Sequence, residues 1–98
     1  MNNTNAQLIA TAQDLLLKLG VREVIVTAGS RNALLVFALA ENKNFRLHSH
    51  FEERSAGFFA LARAQESARP VAVLCTSGTA VANLLPSVIE AHYAQVPL

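Results

Sequence analysis

Leu8, Ile9, Ala12, Leu15, Leu16 and Leu19 recur at three- and four-residue steps, the apolar stripe of one helix. Thr4 and Gln7 have the spacing of a capping box ahead of it, and Gly20 suits the left-handed position that ends a helix. The period then changes. Val21 to Thr27 is a largely β-branched run, predicted as a buried strand, and Ala28 to Arg31 is the loop after it. Asn32 is placed to cap a second, strongly apolar helix through about Glu41, and Asn42-Lys43-Asn44 is a polar turn. From Phe45 to Phe51 the residues alternate, with Phe45, Leu47, Ser49 and Phe51 on one face of a second strand. An alanine-rich helix follows from about Glu52 to Ser67, and its small Ala56, Gly57 and Ala60 permit close approach of a neighbour. Val71 to Cys75 is a third strand. A last helix runs from near Thr79 to Ala91 or His92, kinked or broken at Pro86, which removes one helical hydrogen bond. Val96-Pro97-Leu98 reads as the start of another strand.

One helix followed by three strand–helix units predicts an α/β fold, a parallel β-sheet flanked by helices with right-handed crossovers. The three loops that follow strands then meet at the carboxyl edge of the sheet, where such folds bind ligands. The sheet is expected to be incomplete, and the chain to be part of a longer protein.

Composition narrows the classes. Over 98 residues the chain is 52% hydrophobic and 15% charged, so it folds around a core. A net charge of +1 with scattered Lys and Arg gives no electrostatic basis for binding nucleic acid or an anionic membrane. The longest unbroken apolar run, Ala33 to Ala40, is 8 residues, far short of a membrane span, and the first residues lack the pattern of a signal peptide. The single cysteine, Cys75, sits in an apolar run; it argues against a disulfide framework, fits a cytoplasmic protein, and is expected to be a small core residue.

The candidate chemistry lies in the three loops. Glu52 and Glu53 open a helix, where acids favour the macrodipole. Glu53 is flanked by Phe51, Ala56 and Phe58, and a carboxyl held in an apolar site can share or donate a proton near neutrality. Thr76-Ser77-Gly78-Thr79 is a hydroxyl-rich turn whose small residues suit close approach of a polar ring or anion. It lacks the Gly-Lys-Ser/Thr of a P-loop and the Gly-x-Ser-x-Gly of a hydrolase elbow. Gly29-Ser30-Arg31 offers a turn, a hydroxyl and a guanidinium suited to bidentate carboxylate recognition. Each loop also has a structural interpretation, as helix-start acids, a plain N-cap and a solvated arginine. His48 and His50 share a strand face, but no third residue has convincing spacing for a metal, and no metal site is assigned.

Taken together, GSRN from Gly29, HSHFEERSAGFFAL from His48 and RPVAVLCTSGTAVANLLPSVIEA from Arg69 resemble the N-terminal pyrimidine-binding domain of thiamine-diphosphate enzymes. The resemblance covers about Leu8 to Leu98, and within the family it is nearest to a menaquinone-pathway synthase. It implies a transferase that decarboxylates 2-oxoglutarate and adds the succinyl semialdehyde unit to isochorismate, using thiamine diphosphate and Mg²⁺. Glu53 matches the glutamate that bonds the pyrimidine ring nitrogen and favours the imino tautomer, which removes the thiazolium proton. Glu52 falls where an aspartate is usual. Thr76, Ser77 and Gly78 match the loop lining the pyrimidine, and Ser30 and Arg31 match positions on the isochorismate side. The resemblance implies a homodimer or homotetramer.

Two departures stand out. Ala28 replaces a usual proline, which is expected to loosen the loop carrying Arg31. The family's diphosphate- and Mg²⁺-binding domain has no counterpart here, so residues 1–98 are expected to form only the first part of the pyrimidine-binding domain and to be inactive alone. Acetohydroxyacid synthases and 2-oxoacid decarboxylases share the generic part of the pattern. A non-catalytic α/β ligand-binding domain would leave Glu53 dispensable.

Overall fold

The structure, a computed structural model, describes residues 3–98. Helix α1 (Asn3–Lys18) leads into strand β1 (Glu23–Val26), followed by a 3-10 turn (Ser30–Asn32) and α2 (Ala33–Glu41). Strand β2 (Arg46–Ser49), α3 (Glu53–Ser67) and β3 (Val71–Leu74) come next, and α4 (Thr79–Ala82) and α5 (Leu85–Ala94) complete the order. The strands are parallel in the order β2-β1-β3. Their last residues are level, because Val26 pairs with both Ser49 and Leu74. All three following loops therefore leave from one edge.

The sheet is covered on both faces. Val24 and Val26 point to one face, where Val21, Leu39 and Phe45 complete a buried cluster with Leu16 of α1 and Leu35 of α2. Ile25 points to the other, against Ala56, Ala60 and Ala64 of α3. The chain moves out to β2 with α2 on one face and returns across β1 to β3 with α3 on the other. That arrangement keeps both crossovers of the same hand.

The ends of elements differ from the sequence expectations for identifiable reasons. Thr4 lies within α1 rather than ahead of it. Gly20, at φ +88°, sits in a Schellman turn: its N–H donates to Leu17 O, and the Val21 N–H donates to Leu16 O. Val21 is thus spent on the helix end, and β1 begins two residues later than predicted. Pro86 breaks the last helix rather than kinking it. It stands in the first turn of α5, where its missing N–H is not needed. Val96 to Leu98 form no strand among the described residues, although the Val71 N–H donates to Pro97 O at 3.1 Å on the outer edge of β3. Two apolar hollows of about 200 and 440 Å³ flank that edge, both bordered by Leu98.

The expected close approach at Gly57 is present. A Cβ there would collide with Ser87 Oγ and lie 3.2 Å from Leu84 Cδ2 of the segment leading into α5. Ser87 is itself buried and donates to Leu84 O at 2.9 Å, so it has little room to move. Gly57→Val is expected to destabilise the protein by about 1–3 kcal/mol through overpacking. Denaturant titration checks this as a lower midpoint at unchanged slope.

Candidate functional site

The loops after β1 and β3 are locked together. Gly29 lies so close to Thr76 that a Cβ at Gly29 would sit 2.8 Å from the Thr76 Cβ. Arg31 Nη1 donates to Ser77 Oγ at 2.9 Å, and the buried Thr27 donates its N–H to Leu74 O. β2 and β3 lie on opposite sides of β1, so this contact stands at a topological switch point.

Asn32 holds the first loop in shape. It was expected to cap α2, but its side chain turns back instead. Its Oδ1 accepts from the Gly29 N–H at 2.9 Å, and its Nδ2 donates to Thr27 O at 3.0 Å. The loop that carries Ala28 in place of proline is tied by these two bonds and by the Gly29–Thr76 contact. Ser30 and Arg31 are exposed on it.

Glu52 and Glu53 have separate positions. Glu52 is the N-cap of α3; its carboxylate accepts from the Arg54 N–H at 2.8 Å and from the Ser55 N–H and hydroxyl at 2.9 and 2.8 Å. Those bonds, Ser55's first, hold its carboxyl below the usual carboxylate range. Glu53, the first residue of α3, is half-buried. Its charge reaches the β3 loop: burial, and then the negative Glu53, push the Cys75 thiol up. Cys75 is half-buried rather than a core residue. The apolar enclosure expected around Glu53 is incomplete in this chain, since Phe51 is fully exposed and Phe58 is 40% exposed.

The third loop ends in Gly78 at φ +79° and ψ −140°, a conformation suited to glycine, and a Cβ there would meet nothing within 4 Å. Open space thus adjoins Gly78, Ser77 beside it is exposed, and α3 begins at Glu53 on the same sheet edge. A carboxyl group and small, hydroxyl-bearing residues are the kind of groups a flat, polar heteroaromatic ring would call on, the first for a ring nitrogen and the others for close approach to its plane. No group of three His, Cys, Asp or Glu among the described residues could hold a metal. His48 bonds Glu23, and both His48 and His50 pack against Phe59. The candidate residues line neither apolar hollow at the β3 edge. No helix among the described residues is long and apolar enough to cross a membrane.

Sequence reasoning did not find the Asn32 clamp, which the capping pattern at Asn32 concealed.

Comparison with known proteins gives one consistent result. The family described as "Thiamine pyrophosphate enzyme, N-terminal TPP binding domain" matches residues 6–98. A 2-succinyl-5-enolpyruvyl-6-hydroxy-3-cyclohexene-1-carboxylate synthase from Bdellovibrio bacteriovorus is 53% identical over 97% of this chain and 18% of its own length. The synthase of the same name from Chloroflexus aurantiacus is 57% identical over 81% of this chain and 14% of its own. That from Geobacillus thermodenitrificans is 44% identical over 100% of this chain and 17% of its own. The chain thus spans less than a fifth of the length of these relatives.

Proposed function

From the premise that the chain belongs to the thiamine pyrophosphate enzymes, as their N-terminal TPP-binding domain, we propose that it supplies the pyrimidine half of a cofactor site. The protein carrying it is a transferase of menaquinone biosynthesis that joins a decarboxylated 2-oxoglutarate unit to isochorismate. Thiamine diphosphate, when bound, supplies the electron sink for losing carbon dioxide and for adding the remaining acyl unit. Residues 1–98 are the first part of the pyrimidine-binding domain. In this reading the Mg²⁺ that accompanies the diphosphate is held outside residues 1–98. The working protein is a cytoplasmic homodimer or homotetramer. The exposed Phe51, Phe58, Val81, Leu85 and Val88 support the burial of apolar surface by another subunit or domain.

The observation that carries this proposal is the convergence of three loops at one level sheet edge, which puts the start of α3, at Glu53, on the same edge as Thr76, Ser77 and Gly78. Glu53 shares its proton with the pyrimidine ring nitrogen. Thr76, Ser77 and Gly78 let the ring lie close to the backbone. Arg31, with one of its five donors on Ser77, presents its guanidinium with Ser30 toward the isochorismate carboxylate.

The test supplies thiamine diphosphate and Mg²⁺ to the protein carrying this chain and measures carbon dioxide release. Turnover of 2-oxoglutarate with isochorismate as acceptor is expected. Turnover of pyruvate alone would assign it to the acetohydroxyacid synthases or 2-oxoacid decarboxylases instead. The isolated 98-residue chain is expected to give no turnover. It is also expected to bind the cofactor more weakly than micromolar, because few contacts must offset the entropy of association. Calorimetry checks the second point.

A further inference from the structure

We propose that the ion pair between Glu23 and Arg63, backed by His48, is a positioning device: it fixes α3 along the sheet and so sets where Glu53 stands. The inference rests on the assignment of Glu53 to the cofactor ring.

Three buried alanines, Ala56, Ala60 and Ala64, press α3 onto the sheet. Methyl groups give adhesion, but hydrophobic contact is non-directional and resists sliding poorly. Gly57 against Ser87 sets how closely α3 and α5 approach, and involves neither β1 nor β2. Directional bonds supply that constraint. Arg63 Nε donates to Glu23 Oε1 at 2.9 Å and Nη2 to Glu23 Oε2 at 3.0 Å, a two-pronged pairing of a helix residue with the first residue of β1. His48 Nε2 lies 2.9 Å from the same Glu23 Oε1 and adds β2 to the network. Arg63 Nη1 also reaches Glu66 at 3.2 Å. The Phe59 ring, one turn earlier on α3, packs 5.3 Å from His48 and 4.6 Å from His50.

Glu53 and Arg63 belong to one uninterrupted helix. They stand about 15 Å apart at the helical rise. A shift of Arg63 along the helix axis is therefore transmitted to Glu53. The Glu23 side chain keeps only 14% of its surface exposed, and the Arg63 bond is the main cause holding its carboxyl below the usual carboxylate range. The ion pair therefore persists at neutral pH.

Arg63→Met, Arg63→Lys and Glu23→Gln in the protein carrying this chain separate positioning from simple support. The first readout is backbone amide exchange in the protein without cofactor. Residues 50–57 are expected to exchange faster in Arg63→Met and Glu23→Gln than in the parent, with α1 and α2 unchanged. The second is proton–deuterium exchange at the thiazolium carbon, with thiamine diphosphate saturating and well below the unfolding temperature. It should slow by about 10²-fold, the cost of a misplacement near 1 Å. Arg63→Lys keeps the charge without the fork and should fall between. Wild-type values of both readouts in folded variants, even with a lower unfolding temperature, would overturn the proposal. If Arg63→Met does not fold, Glu23→Gln and Arg63→Lys decide it. If Glu53→Gln leaves thiazolium exchange unchanged, the site assignment fails, and the amide readout still decides whether the pair positions α3.

Discussion

Glu53→Gln is expected to lower carbon dioxide release from 2-oxoglutarate by about 10²–10⁴-fold, the range of a general acid–base contribution. Glutamine keeps the shape and a hydrogen-bonding group but has no carboxyl to share a proton. The residue stands at the start of α3, on a helix end whose own cap is supplied by Glu52. Its loss therefore leaves the cap bonds intact, and the variant should fold. Cofactor affinity should change little, because on the proposed reading the diphosphate supplies most of the binding. Steady-state turnover together with calorimetry checks both parts.

Gly29→Ala is expected to reduce kcat/KM for isochorismate by about 10²-fold, the scale of a misplaced binding group. The limit is space and not backbone angle, since φ at Gly29 is −157°, an extended value open to any residue. The added Cβ would stand 2.8, 3.0 and 3.1 Å from Thr76 Cβ, Oγ1 and Cγ2. The two loops must separate, which breaks the bond from Arg31 to Ser77 and moves the guanidinium. Thr76→Gly in the same protein removes all three contacts and should restore part of the loss. Initial rates at varied isochorismate, with 2-oxoglutarate saturating, measure it.

The fold was legible because each element carried a clear period or composition. The stripe from Leu8 to Leu19, the run Val21 to Thr27 and the alternation after Phe45 each predicted the right element in the right order. Ends were harder to place, because backbone bonds decide them. Val21 belongs to the β-branched run, but its N–H is taken by Leu16 O. Pro86 looked like an interruption of one helix, and it instead opens a second. At the site, chain order brought the three loops to one edge without tertiary information. The partners of individual side chains were not legible. Asn32 is equally suited to a helix N-cap and to a loop clamp, and the packing of Gly29 on Thr76 selects the clamp. The apolar flank of Glu53 was inferred from neighbours in sequence, but Phe51 points wholly to solvent.

The central claim is that Glu53, and not its neighbour, serves the cofactor ring. The direct measurement is proton–deuterium exchange at the thiazolium carbon of bound thiamine diphosphate in the parent protein, Glu52→Gln and Glu53→Gln. Glu52 is turned back onto Arg54 and Ser55, and a glutamine there retains an oxygen for one of those donors. The account predicts exchange near the parent rate in Glu52→Gln and slower by about 10²–10⁴-fold in Glu53→Gln. Equal rates in the two variants would contradict it and reduce Glu53 to a helix-start acid.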